Sequence, residues 1–526
     1  MTSIGHWLKS HIRTSHLLFL ALVVFGALFP NQTANQLEVV TAFFGTYFDW
    51  LIVLAATGFL VLCFIFAFSR YGRIRLGTQD EKPQFSLLSW LAMLFAAGMG
   101  TGLVFYGAAE PLYHLASPPP GIAPNPSDAQ AAKYAMVVTL LHWGLHAWAI
   151  YCICALAIAY FTFRQQQPML ASSPLQCLWP SEKLEPLWHL VNLIAVLAVV
   201  FGLVASLGQG VAQMYKGVEE IGFTFSGEAQ GFIIILLTLT VFYIGSALTG
   251  LGKGIKILSD INMITCVALM FFVILLGPTH FILETFATSL GEYTSRFFSM
   301  GLNLRHFSGN EEWTRNWTIT YLLWWVAWGP FVGTFVARIS RGRTIKEFII
   351  GVLFVPTLFS CLWFSAMGGA AIYMDIFNDT GLAAIAQADL PAVTFALLDQ
   401  LPLSGITSVI TLFLVFIFLV TSADSGSYVL GMFTSSGNPS PPTFQKLFWG
   451  IMVALVTAGV LLADKGLGFV RAIAMAGSVP YMFIVMVQCY ALWQFLKRDA
   501  RDMRQNIVHL PNEEVSKTAK ATKKAD

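Results

Sequence analysis

Two apolar stretches of the 526-residue chain gather five tryptophans and a tyrosine: His142-Trp143-Gly144-Leu145-His146-Ala147-Trp148-Ala149-Ile150-Tyr151 and Trp324-Trp325-Val326-Ala327-Trp328. Indoles in membranes usually collect at the water boundary, where the N–H stays wet. Grouped inside apolar runs, they offer π-faces to a cation. On a helix turning about 100° per residue, Trp143, Tyr151 and Trp148 fall near 0°, 80° and 140°, and Trp324, Trp328 and Trp325 near 0°, 40° and 100°. Each set covers one face. A box of this kind suits a quaternary ammonium group, which is bulky, weakly hydrated and has no N–H to donate. A carboxylate could not hydrogen-bond such a group and is costly to keep charged in a membrane. The competing reading is core packing by large side chains. His142 and His146 have the i, i+4 spacing of a metal pair, but no HExxH surrounds them. They are expected to hydrogen-bond within the bundle.

Two further segments could supply polar backbone. Gly98-Met99-Gly100-Thr101-Gly102 precedes Ala109-Glu110-Pro111, and Gly329-Pro330-Phe331-Val332-Gly333 follows the second tryptophan group. Alternate glycines weaken a helix by about 1 kcal/mol each relative to alanine, and proline removes a backbone donor. Interrupted spans at matching places in two halves point to a transporter's midplane site; the alternative is close helix packing over small residues. Phe418-Leu419-Val420-Thr421-Ser422-Ala423-Asp424-Ser425 adds hydroxyls. With carbonyls freed by a broken helix, these are hard oxygen ligands for a small cation. Asp424 is a functional candidate as an acid near a span end, or a helix cap or arginine partner. Glu110 reads as an isolated acid in an Ala-Glu-Pro turn. The paired histidines lack partners, so no catalytic set emerges. A channel would need a continuous polar lining, and no ring-forming filter motif is present.

The elements that must position these residues are membrane helices. Apolar residues make up 56% and charged residues 11% of the chain, against about 25% charged in a soluble domain. No Lys or Arg occurs in 347–445. Twelve spans are expected, near 15–31, 45–69, 87–115, 132–162, 187–214, 230–248, 257–278, 314–337, 347–374, 403–431, 445–463 and 470–496. Basic residues concentrate in alternate loops (Arg70, Arg73 and Arg75; Arg164 and Lys183; Lys253 and Lys256; Arg338, Arg341 and Arg343), which places both termini in the cytoplasm. The transporter domain then covers 15–496, between an N-terminal segment 1–14 and a basic tail 497–526. That tail is a solvated segment or a contact for anionic lipid headgroups. The segment 279–301 reads as an amphipathic surface helix. Seven scattered cysteines without a CxxC pair argue against disulfides or zinc. Nothing in this pattern resembles a nucleic-acid-binding surface.

Taken together, these motifs resemble the betaine/carnitine/choline transporter family over nearly the whole chain. The resemblance rests on Gly98–Gly102 with Ala109-Glu110-Pro111, the stretch 142–151, Trp317-Thr318 through Gly333, Arg338-Ile339-Ser340-Arg341-Gly342-Arg343, and Thr421-Ser422-Ala423-Asp424-Ser425. It implies an all-α polytopic protein with a LeuT-like five-plus-five inverted repeat, spans 3–7 and 8–12, after two extra N-terminal helices. It also implies alternating access, a homotrimer and residence in the bacterial inner (plasma) membrane. By motif match, Trp143, Trp148, Tyr151 and Trp325 would surround the substrate ammonium, with Trp328 below them on the cytoplasmic path and Trp324 packing. The backbone of Gly98, Gly100 and Gly102 would meet a substrate carboxylate. In sodium-coupled members Ala96, Met99, Phe418, Thr421 and Ser422 would hold one sodium ion, and Phe331 would lie beside a second. Gly102, where some proton-coupled choline carriers have Asp, tilts towards a zwitterion such as glycine betaine. Sodium-independent exchangers place a basic side chain near the position of Met263; no Lys or Arg lies between Lys256 and Arg296, which favours sodium. Proton-coupled or exchanging carriers of choline, carnitine, taurine, ectoine or sulfonium analogues remain the alternative.

Overall fold

A computed structural model describes residues 29–98, 100–118, 128–249, 252–308, 311–463 and 466–504. The segment 1–14, most of the first expected span, the end of the tail and Met99 lie outside the described residues.

Long apolar runs with few breakers fold as expected into helices. In chain order these are α1 (Pro30–Tyr47), α2 (Asp49–Phe68), α3 (Leu87–Gly98), α4 (Thr101–Ala116), α5 (Asp128–Trp143) and α6 (Leu145–Ala159). Then follow α7 (Glu185–Glu220), α8 (Glu228–Thr249), α9 (Gly252–Leu276) and the amphipathic α10 (Thr279–Gly301). The last five are α11 (Thr320–Ile339), α12 (Ile345–Asn378), α13 (Ser404–Phe433), α14 (Thr443–Leu461) and α15 (Gly466–Arg504). Ten helices among the described residues are long and apolar enough to cross a membrane. Helix α1 occupies residues expected to be a loop: Pro30 starts it, and no proline follows to stop it.

The two proposed helix breaks fare differently. In the third span the chain leaves the helix at Gly100, which is extended (φ −131°, ψ −162°), so the span falls into α3 and α4. In the eighth, α11 runs through Gly329 and Pro330 without interruption. Those glycines serve packing instead. A Cβ on Gly329 would lie 2.9 Å from Cys154 Sγ, and one on Gly333 3.0 Å from Cys154 Cβ, so α11 and α6 press together there. Neighbouring helices make a proline tolerable inside such a bundle.

A break that the sequence did not announce divides the fourth span. Gly144 (φ −100°, ψ −138°) separates α5 from α6. Tyr293 of α10 fills the gap: its hydroxyl accepts a hydrogen bond from Leu145 N (2.7 Å) and occupies the space that a Gly144 Cβ would need. The helical angles drawn from Trp143 to Tyr151 therefore do not hold, nor does the i, i+4 relation of His142 and His146. On the basic-loop side, the stretch after α2 zips onto the stretch before α12: Leu76 N donates to Arg343 O (2.9 Å) and Ile345 N to Ile74 O (2.9 Å).

Candidate substrate site

The helix break and the tryptophans meet at one cavity of about 690 Å³. Gly100, Thr101 and Gly102 line it from the start of α4, Trp143 and Tyr151 from α5 and α6, and Trp325 and Trp328 from α11. Phe418, Thr421 and Ser422 line it from α13. Its far end reaches Phe85, Ser259 and the exposed Asp260, beside the basic loops: Arg343 donates to Phe85 O (2.9 Å).

Three aromatic rings form a corner. Trp325 meets Trp143 edge-to-face (5.1 Å between centroids, 81°) and Tyr151 likewise (5.5 Å, 90°). Such contacts present both faces and edges to a ligand. The corner is fixed by hydrogen bonds at its back. Trp325 Nε1 donates to the carbonyl of His142 (2.8 Å), which sits in the last turn of α5, where backbone carbonyls lack helical partners. Trp328 Nε1 donates to Gly202 O (3.2 Å), and its ring packs on Phe331 (5.3 Å), which also lines the cavity. Trp148 is 3% exposed, stands edge-on to Tyr151 (5.6 Å) and is not among the residues lining the cavity. Trp324, expected only to pack, lines the cavity while stacking on Tyr321 (6.1 Å, 27°).

Gly100 caps α4 and brings no side chain to satisfy the first backbone N–H groups of that helix, and Gly100, Thr101 and Gly102 line the cavity. A helix N-terminus of this kind favours an anionic group through free donors and the helix dipole. Gly98 and Ala96 end α3 beside it.

Of the residues expected to hold sodium, Phe418, Thr421 and Ser422 line the cavity from α13. Thr421 Oγ1 lies 3.2 Å from Phe418 O, close enough for both oxygens to face one ion, and Ser422 lines the cavity beside them. Thr421 Oγ1 also donates to Ile417 O (2.8 Å), so it would reach a cation through a lone pair. These oxygens fit a small hard cation. Among the lining residues of the cavity, no Lys or Arg competes for that role. Asp424 is buried within α13, so it caps no helix end.

Sequence reasoning missed a buried polar cluster behind the corner. Glu110 is not in a turn but inside α4, fully buried. Its Oε2 accepts from Trp143 Nε1 (2.7 Å) and Tyr321 Oη (2.5 Å). Its Oε1 lies 2.6 Å from His142 Nδ1 and 3.5 Å from His114 Nε2. His142 Nε2 in turn pairs with Thr318 Oγ1 (3.0 Å), and His146 with Thr57 (3.3 Å), so both histidines do bond within the bundle. Glu110, His114 and His142 together offer three metal-ligand atoms. A separation of 2.6 Å is that of a hydrogen bond, however. Two ligands about 2.1 Å from one zinc ion in a tetrahedral site lie well over 3 Å apart. The available signal was that Glu110 is a lone acid in a spanning run, with His114 one helical turn on.

The family model of betaine/carnitine/choline transporters matches residues 12–501. The chain belongs to this family. Its members are transporters, not enzymes, which disposes of the intramembrane enzyme. The family member described as glycine betaine transporter OpuD of Bacillus subtilis is 41% identical over 490 residues, covering 92% of this chain and 94% of that protein. A probable glycine betaine transporter of Desulfitobacterium hafniense is 38% identical, covering 92% and 97%. An ectoine/hydroxyectoine transporter of Virgibacillus pantothenticus is 36% identical, covering 92% and 96%.

Proposed function

We propose that this family member imports a trimethylammonium-type compatible solute, glycine betaine first, by alternating access driven by sodium. The observation that carries this is the Trp143–Tyr151–Trp325 corner opening onto the N-terminus of α4. The onium group would rest against the rings, and the carboxylate would meet the free N–H groups at Gly100–Gly102. Sodium would be held by Phe418 O, Thr421 and Ser422 of α13 with backbone oxygens of Ala96 and Met99. A second ion beside Phe331 belongs to the same reading. Bound there, sodium would supply positive charge that ties α13 to the broken span.

Support for an inward-facing state comes from the cavity's course to Phe85 and Asp260, beside the basic loops that favour the cytoplasm. On this reading the ten spanning helices, the broken span and the N-terminal segment make twelve crossings, with spans 3–7 and 8–12 as inverted repeats. The chain would sit in the plasma membrane as a homotrimer with both termini inside. Two of the relatives named above carry betaine in their descriptions and a third ectoine, so solute identity is decided by competition. Labelled glycine betaine is offered to proteoliposomes with choline, carnitine, taurine and ectoine as competitors, with and without a sodium gradient. Betaine should win, with uptake lost when sodium is replaced by potassium. Trp325→Leu should weaken betaine binding tenfold or more. Unchanged affinity in that variant would remove the aromatic cage from the account.

A further inference from the structure

The buried carboxylate behind the corner has no assigned role. Three neutral donors surround Glu110: the indole N–H of Trp143, the hydroxyl of Tyr321 and the Nδ1–H of His142. We assign the His142 proton to Nδ1, which then donates to the carboxylate, and Nε2 accepts from the Thr318 hydroxyl. A carboxyl group that only accepts hydrogen bonds is ionised. Among the described residues the titratable groups against it are His114 and His142, and no lysine or arginine pairs with it. A negative charge therefore lies directly behind one wall of the cage.

The placement along α4 gives that charge a direction. The helix begins at the cavity with free N–H groups near Thr101, and Glu110 follows nine residues later, about 13 Å along the axis. One helix thus presents a positive end and a negative side chain, with Trp143 between them. A Gly102 Cβ would lie 3.0 Å from Trp143 Cη2, while the opposite edge of that indole holds Glu110. An N–H bonded to a carboxylate also makes the ring a better π-donor to a cation.

We propose that Glu110 is the counter-charge of the onium cage: without touching the substrate, it selects positively charged head groups and orients a zwitterion with its onium towards Trp143 and its carboxylate towards the start of α4. This rests on the onium-transport reading above. It makes Glu110 a positioning and specificity residue, not a ligand.

The effect is unequal between ligands, and that separates it from a structural role. A cation on the face of Trp143 would stand about 7 Å from the carboxylate, one ring away. At an effective dielectric of about 20, that attraction is worth about 50-fold in affinity. Glycine betaine carries its own carboxylate about 3 Å further off, which cancels most of the gain and leaves about threefold. A neutral isostere gains nothing.

The test is competition against labelled glycine betaine on the full-length protein, comparing wild type with Glu110→Gln. The expected result is that choline weakens at least tenfold and betaine about threefold. The neutral choline isostere 3,3-dimethylbutan-1-ol should stay within twofold. Equal weakening of choline and betaine would show that Glu110 merely holds the rings in place, and would overturn the proposal. So would wild-type protein that choline does not displace at a hundredfold excess over the betaine Kd. Should Glu110→Gln fail to insert, Glu110→Asp keeps the charge. It should preserve the choline-to-isostere ratio within threefold, and collapse of that ratio refutes the idea. Wild-type protein that binds no onium compound defeats the transport reading itself; onium binding lost in Trp325→Leu but even-handed in Glu110→Gln defeats only this inference.

Discussion

Gly102 sits against the Cη2 edge of Trp143, with little space between them. A methyl group in Gly102→Ala would lie 3.0 Å from Trp143 Cη2 and 3.7 Å from Cζ3. Carbon atoms rest at about 3.5–4.0 Å, so the ring must retreat by about 0.5–1 Å. Little lets it do so. Its nitrogen is tethered to Glu110 at 2.7 Å, its face meets Trp325 at 5.1 Å, and Phe364 stands 5.3 Å away. Overpacking of this kind costs about 1–3 kcal/mol. The part borne by the cage geometry should weaken betaine about 5- to 30-fold, with the remainder appearing as lost thermal stability. Equilibrium binding in detergent or proteoliposomes measures this, and a double-mutant cycle isolates the cause. Phenylalanine has no atom at the Cη2 position, so in a Trp143→Phe background the same Gly102→Ala change should cost less than about twofold. An equal penalty in both backgrounds, or an unchanged affinity in Gly102→Ala alone, refutes the reasoning.

Other outcomes follow from contacts already described. Gly333→Val places side-chain carbon where Cys154 Cβ and Ala155 N approach to 3.0 and 3.1 Å. It should lower the Tm and expression, at a cost of about 1–3 kcal/mol, while the surviving protein keeps its betaine Kd within threefold. Tyr293→Phe leaves Leu145 N–H without its acceptor. A loss of about 1–3 kcal/mol is expected, read by thermal unfolding, and full stability would mean that another group satisfies that donor. Ser422→Ala should raise the sodium concentration for half-maximal uptake several-fold; an identical sodium curve removes Ser422 from the ion site.

How much of this was legible in the residues varies with the range of the interaction responsible. The Gly98–Gly102 break could be read because three glycines within five residues weaken a helix locally, whatever surrounds it. The break at Gly144 could not, because a single glycine in an apolar run is tolerated and its cause, Tyr293, comes 149 positions later. Gly329-Pro330 misled for the converse reason: the local signal is strong, but α11 continues through it, packed against Cys154. Trp143, Tyr151 and Trp325 were identifiable by type, whereas the position of Trp148 could not be read from helical angles that assume an unbroken helix across Gly144. Glu110 was visible but weighed only as a catalytic acid, since its three donors arrive from two other helices, His142 and Trp143 from α5 and Tyr321 from α11.

The hydroxyl of Tyr293 has a consequence for anyone who would reshape this protein. It occupies the volume that any side chain at position 144 would need, and it replaces a backbone bond that α5 and α6 would otherwise make with each other. Neither position can therefore be explored alone. A larger residue at 144 collides with the phenol, and a smaller residue at 293 strands an amide. Directed evolution of solute preference through single substitutions will find both sites silent or lethal, while paired libraries at 144 and 293 open a route to changing the angle at which Trp143 meets its ligand.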